Sequence, residues 1–339
     1  MTLLYIDGFD AVTHAYAVLR GWAVSNGSMS AATGRINGRA LSSSWGGAWT
    51  VTSPGFGNKA TVGVGFAYYR GTLPGSALTI FSLYDAANTT EQCGIRLNTD
   101  GTLSACRGNQ ASVLGTTASA VITASAWCYI EVMTTIDDST GSMQVRVDGT
   151  QVLNITGADT KQGTTAQASR VRFYGTGNGS DRYDDLYILD TAGSANNALL
   201  GDCRVLTCRA ASDASVQWSR STGSTNYTLV DDDTVSTSDY VHTTTAGHVD
   251  RYGLVDLTYT PTSVHGVALN FGYQKVDAGA RTIRGFIKSG ATTSNDSAVS
   301  PTLNTEAVRW ALWEQDPNTA AAWTASGVNA LEAGVEVVT

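Results

Sequence analysis

Residues 183–190 read YDDLYILD. Two adjacent carboxylates precede an apolar, aromatic run that closes on a third. Asp184 and Asp185 could be a catalytic pair, metal ligands, or fasteners for the backbone at a strand end. On a regular strand, adjacent side chains point to opposite faces. The two could then not share the work of nucleophile and acid, which a retaining glycosidase holds about 5–5.5 Å apart. The expected role is structural. One Asp bonds backbone amides where the strand enters its sheet, and the other faces solvent or a neighbouring loop.

Working outward from that stretch, strand signals dominate. In TVGVGFAYYR (61–70), Val62, Val64, Phe66 and Tyr68 share one face. AWCYIEVMTTI (126–136) is a second extended run, and DDSTG turns the chain into SMQVRVDG. There Met143, Val145 and Val147 alternate with Gln144, Arg146 and Asp148, the period of a half-buried antiparallel strand. Asp148-Gly149 is a tight-hairpin signal leading into TQVL. Regularly spaced short strands with Gly, Asn and Asp turns predict a sandwich.

The bulk numbers fit. The chain has 339 residues, 42% of them hydrophobic, enough for about two packed domains. Only 15% are charged, against about 25% in an average soluble protein, so Ser, Thr, Asn and Gly must supply the polar surface. A net charge of −8 argues against nucleic acid as a partner. No apolar run approaches the ~18 residues of a membrane-spanning helix. The start, MTLLYIDGFD, lacks a basic n-region, which predicts use without Sec export. The five cysteines are an odd number. Around the NTDG turn, pairing Leu97 with Leu103 and Ile95 with Ala105 sets Cys93 opposite Arg107 and turns Cys106 away from it. All five are expected reduced, as small hydrophobes.

TAGSANNA (191–198) is small and polar and suits a linker, which places a first domain at 1–192 and a second at 193–339. Strand signals resume in DCRVLTCR (202–209). HGVALNFGYQKV and ARTIRGFIKSG, joined by DAGA, and EAVRWALWE (306–314) follow. After Asp316-Pro317, one helix of about two turns is predicted, with Thr324 as its cap, Val328 and Leu331 on one face and Gly334 at its close. GVEVVT would be the closing strand.

The succession YIDGFD, SAWCYIEV, GSMQVRVDGTQVL and RYDDLYILD resembles the concanavalin A-like, laminin-G-like jelly roll. That resemblance implies a jelly-roll sandwich with its first and last strands close together; with the strand and helix signals that follow, the chain is expected to be all-β, the jelly roll followed by a second, smaller β-sandwich with one short C-terminal helix. LGDCRV, the DDDT and DYV pieces, QKVDAGARTIRGFIKSG and DPNTAAAWTASGVNALEAGVEVV resemble structural proteins of tailed bacteriophages. This implies a virion component, assembled in the bacterial cytoplasm, with itself and other virion proteins as partners.

Several residues are candidates for chemistry. If the first and last strands are neighbours, Asp7, Asp10, Asp184 and Asp185 could converge on a metal, and calcium is the ion such oxygens suit. No Glu-x-Asp-x-x-Glu or Glu-x-Asp-x-Glu motif of family 16-type glycosidases is present, and no G-x-S-x-G elbow or P-loop. The spacing of His242, His248 and Asp250 matches no zinc signature. Lys275, Arg281, Arg284 and Lys288 read as a solvated strand face, with docking on an acidic partner as the alternative. In AVRWALWE the core face is expected to carry Val308, Trp310 and Leu312, leaving Arg309 and Trp313 displayed as interface anchors; burial of Trp313 under the terminal helix is the alternative. The leading expectation is a non-enzymatic, multi-copy capsid decoration or compact tail appendage. The alternatives are a lectin-like adhesin for a host surface glycan and, less favoured, a glycan depolymerase.

Overall fold

The structure is a computed structural model describing residues 2–339 apart from 12, 27, 37, 44, 45, 111, 178, 179, 234 and 235. It is all-β and divides into two compact units, Met1–Val205 and Leu206–Thr339. The first unit holds strands β1 (Leu3–Asp7), β2 (Ala23–Ser25), β3 (Met29–Thr33), β4 (Arg39–Ser43), β5 (Ala48–Thr52), β6 (Thr61–Arg70), β7 (Leu78–Tyr84) and β8 (Glu91–Leu97). It continues with β9 (Leu103–Arg107), β10 (Ser112–Thr116), β11 (Trp127–Thr135), β12 (Gly141–Val147), β13 (Thr150–Ala158), β14 (Arg170–Thr176) and β15 (Asp181–Leu189). One sheet runs β13-β12-β11-β6-β15-β4-β3, with β1 also on β15, and the other runs β10-β9-β8-β7-β14-β5-β2. This is the expected jelly-roll sandwich, with first and last strands paired.

The sheets meet through the predicted faces. Val62, Val64, Phe66 and Tyr68 are fully buried, as are Met143 and Val145. Phe66 stacks on Phe81 at 5.6 Å and meets Phe173 edge-on at 5.2 Å, joining the two layers. Each such buried ring contributes roughly 1.5–3 kcal/mol. Cys93 pairs with Arg107, Ile95 with Ala105 and Leu97 with Leu103, the register read from the sequence. All five cysteines are free thiols. Asp148 and Gly149 both take positive φ, as a two-residue hairpin of this type demands. A helix missed in the sequence, α1 (His14–Leu19), starts at Thr13, whose hydroxyl accepts from the Tyr16 amide. At six residues it carries too little apolar periodicity to be seen.

In the second unit, β16 (Ala210–Ser215), β19 (Val249–Leu254), β21 (Ile283–Ser289), β22 (Thr292–Asn295) and β24 (Glu332–Val337) form a sheet of order β16-β19-β24-β21-β22. The short β17 (Ser219–Arg220) and β18 (Val241–His242) pair, as do β20 (Val267–Tyr273) and β23 (Ala307–Trp313). The DAGA turn therefore does not join a hairpin: β20 pairs with β23, and β21 with β22 and β24. Phe271 and Leu269 of β20 lie where a Cβ on Gly285 would be, so the two-stranded layer packs on the larger sheet at that glycine. The predicted helix is one short turn, α2 (Ala325–Asn329), capped by Thr324 through the Gly327 amide at 3.0 Å. Gly334 does not close it but lies in β24, under the Phe286 ring.

One buried carboxylate organises this unit. Asp250 has no solvent exposure and accepts from the Gln217 amide (2.7 Å), the Trp218 amide (2.8 Å), Tyr252 Oη (3.0 Å) and Asn226 Nδ2. Asp213 receives the Asn226 and Tyr227 amides at 3.0 and 2.7 Å.

The outer face of the first sheet depends on small residues in its central strand. A Cβ on Gly65 would lie 2.1 Å from Tyr187 Cε1, and one on Gly63 would meet Leu189 and Met133. Tyr187 cannot swing aside, because its hydroxyl donates to buried Glu131 at 2.6 Å. Gly65→Ala should therefore cost about 1–3 kcal/mol in urea unfolding, whereas Gly75→Ala, where an added Cβ meets nothing within 4 Å, should not destabilise. Equal midpoints for the two variants would show that the ring is not fixed.

Candidate functional site

Asp184 and Asp185 sit at a break in the strand. On one side β15 follows β6, with the register shifting between Asp184 and Tyr187. On the other side its partner changes: Tyr183 faces Leu41 of β4, whereas Leu186 faces Asp7 of β1. The bulge fills this handover, and Asp185 adopts φ +52°. With the pleat interrupted, the two side chains do not point to opposite faces as a regular strand would require. Both reach Arg35. Asp184 accepts its amide at 2.8 Å and also the Asp185 amide at 2.9 Å, while Asp185 lies 3.7 Å from its guanidinium. Tyr129 Oη donates to the Asp185 carbonyl at 3.0 Å.

Asp185 also accepts the Val205 amide at 2.9 Å, which anchors an extended strap over residues 199–205. The Leu200 amide donates to Tyr187 Oη at 3.1 Å and the Gly201 amide to Glu131 Oε1 at 2.7 Å. Arg35 forks onto Asp202 and lies over the Tyr129 ring at 5.3 Å. Gly8 lets the Val205 carbonyl approach, since a Cβ there would stand 2.4 Å from that oxygen. DCRVLTCR is thus no strand. Over 202–205 it alternates because Cys203 and Val205 turn inward and Asp202 and Arg204 outward, while Asp185 takes the Val205 amide. The same bonds move the boundary from 192/193 to Val205/Leu206. The Cys203 thiol is pushed up to about 12 by burial and by Glu131, which disfavours its thiolate at neutral pH. The one sequence signal for this cluster was Glu131, a carboxylate within the apolar run AWCYIEVM, and it is fully buried.

The four aspartates considered for calcium do not form one ligand set. Asp7 is taken by Arg20 at 2.9 Å, by Tyr5 Oη at 3.1 Å and by the Phe9 amide at 2.9 Å. Asp10 accepts the Arg39 amide at 3.2 Å and adds its charge to the field at Asp184 and Asp185. Among the described residues, no group of three or more His, Cys, Asp or Glu is placed to hold a metal ion. Calcium, which wants six to eight oxygens, does not fit carboxylates already committed to amides and guanidinium groups.

The interface candidates turn inward. Trp313 pairs with Val267 and Arg309 with Phe271, on the face that meets Gly285. Arg309 binds Asp296 through two nitrogens. Trp313 packs on Ile287, Trp323 and Leu331 and donates to Ser294 Oγ at 2.9 Å. Val308, Trp310 and Leu312 take the opposite face. The expected alternation was correct but its sides were exchanged, because Trp310 and Trp313 offer apolar bulk to both. Three of the four cations of the basic patch are paired locally: Arg284 meets Glu336 at 2.8 Å, Lys288 meets Glu332 at 3.4 Å and Arg281 meets Asp277 at 2.9 Å. Of the histidine group, Asp250 is the buried hub, His248 bonds Thr243 at 3.1 Å and His242 is exposed.

The paired aspartates give a signed pH dependence. Burial, then the charge of Asp185, pushes Asp184 up to about 8. Burial pushes Asp185 up to about 6 against the Val205 amide and Arg35. Both values exceed the roughly 3.9 of an unfolded Asp, so folding favours the protonated forms. Their contribution is complete below about pH 4 and is lost as pH rises through 6 and then 8. The urea midpoint should therefore fall more steeply between pH 5 and about 9 in the natural protein than in Asp184→Asn. Parallel profiles would exclude Asp184 as the source.

No family model matches the chain, and no curated protein matches it. Among solved structures, it is similar to domain 4 of AbnA, an extracellular arabinanase from Geobacillus stearothermophilus solved with arabinotriose. Identity is 14%, with 56% of this chain and 92% of that chain covered, at a TM-score of 0.41. The carbohydrate-binding module CBM66 from Bacillus subtilis is similar at 11% identity, 50% and 96% coverage and a TM-score of 0.35. A Trypanosoma rangeli sialidase mutant with trans-sialidase activity is similar at 14% identity and a TM-score of 0.35, over 48% of this chain. The chain spans only 27% of that sialidase. At such scores these likenesses carry no argument about what this chain binds or does.

Proposed function

We propose that the protein is a non-enzymatic structural component of a tailed-phage particle, present in several copies as a capsid decoration or compact tail appendage. The observation that carries the non-enzymatic part is the use made of the carboxylates. Asp7, Asp184, Asp185, Glu131 and Asp250 are all buried, and each accepts from a backbone amide. A general acid or nucleophile must instead reach a substrate within hydrogen-bond distance. The virion assignment rests on the sequence succession described above and on a surface poor in charge and rich in Thr, Ser and Gly. Such a surface associates by burying its own neutral polar and aromatic groups between subunits, with other virion proteins and further copies of this chain as partners.

Peptide mass spectrometry of density-banded particles should find this chain at many copies per particle. Electron cryo-microscopy should then place it at symmetric positions on the head or tail. Intact particles lacking the chain would overturn the proposal.

A further inference from the structure

We propose that a cavity where the seven-stranded sheet of the first unit splits binds a single neutral sugar ring. Strands β7 and β14 pair from Tyr84 with Arg170 to Phe81 with Phe173, and the pairing stops there. Beyond that point β7 stays paired with β8 as far as Leu78, and β14 stays paired with β5 as far as Thr176. Tyr183 Oη, from the other sheet, lies within hydrogen-bond distance of the Ile80 and Tyr174 carbonyls. It satisfies both strands at the split without joining them.

A cavity of about 200 Å³ lies there, bordered by Leu78 and Thr79 of β7, Tyr174 and Gly175 of β14, Thr50 of β5 and Asn26 just after β2. Sites for drug-sized ligands run to roughly 300–1,000 Å³, so this one suits one ring rather than a chain. Its aromatic wall is held in place. Tyr174 Oη bonds Glu91 at 3.2 Å and Tyr84 Oη at 3.1 Å. Glu91 is buried and also accepts from Ser82 at 2.8 Å and Gln110 at 2.7 Å. Asn26 Nδ2 donates to the Ala48 carbonyl at 3.3 Å, which leaves its Oδ1 as an acceptor. The Thr50 and Thr79 hydroxyls are partly buried and hold no hydrogen bond among the described residues.

The chemistry defines the ligand. Every residue bordering the cavity is neutral, so a charged group would lose its water there and gain no counter-ion. A purely apolar ligand would strip water from Thr50, Thr79 and Asn26 and return no hydrogen bond. A sugar ring supplies both halves. Its C–H face suits the Tyr174 ring and Leu78. Its hydroxyls both donate and accept, as the two threonine hydroxyls do, and can donate to the Asn26 oxygen. Tyr174 and Thr50 are directly opposite across β14 and β5, so the ring and one hydroxyl are set side by side by strand register alone. The inference goes beyond the structural role proposed above and stands or falls without it.

The test is saturation-transfer NMR on the full chain with the methyl glycosides of glucose, galactose, mannose and N-acetylglucosamine, and with methyl glucuronide as the charged comparison. At least one neutral glycoside should bind saturably, and the glucuronide should bind more weakly than the best of them. Thr50→Val and Thr79→Val, which keep the shape and remove a hydroxyl, should each weaken binding about two- to tenfold. Ala48→Phe, at an exposed position bordering the cavity, should abolish it. Saturable binding of no neutral glycoside, tighter binding of the glucuronide, or binding unaltered in Ala48→Phe and both threonine variants with native unfolding midpoints, would overturn the assignment. Particle location does not enter this result.

Discussion

Backbone amides that no neighbouring strand reaches must still find acceptors once they are buried, and here carboxylates supply them. Asp181, without solvent exposure, accepts the Thr176 amide while holding Tyr68 Oη and Arg70. Asp7 takes Phe9, Asp184 takes Arg35, Asp185 takes Val205, Glu131 takes Gly201, and Asp250 takes Gln217 and Trp218. Each is a place where the chain leaves regular pairing without losing its hydrogen bond. The cost is desolvation of a charge, which several amide and hydroxyl donors or a nearby arginine offset.

The layers of the sandwich were legible because alternation reports burial directly. The faces of TVGVGFAYYR and SMQVRVDG follow from which residues are apolar, and the hairpin of Cys93 and Cys106 follows from one turn and two leucines. The pairing of first and last strands came through the resemblance rather than through periodicity. Within the second unit, the strands themselves were visible but their partners were not. The two-stranded layer forms because Phe271 and Leu269 find Gly285 across the interior, and glycine in a strand pattern does not announce which ring will cover it.

Alternation also misled, chiefly because it records which side chains turn inward, not what the backbone bonds to. DCRVLTCR alternates like a strand, yet its Val205 amide goes to Asp185, and the Gly201 and Leu200 amides just before it go to Glu131 and Tyr187. YDDLYILD reads as an unbroken strand, but the change of partner from β4 to β1 requires one residue in the left-handed region, and Asp is among the few residues that enter it readily. In AVRWALWE both faces carry tryptophan, so the pattern fixes two faces and leaves their direction open.

The strap gives these details a functional consequence. By closing the rows around Tyr129, Glu131 and Tyr187, it turns that part of the first sheet's outer face into interior, while on β12 and β13 Gln144 and Arg146 stay partly exposed and Gln151 and Asn154 exposed. The amides of Gly201 and Val205 occupy the Glu131 and Asp185 carboxylates, and that of Leu200 occupies Tyr187 Oη.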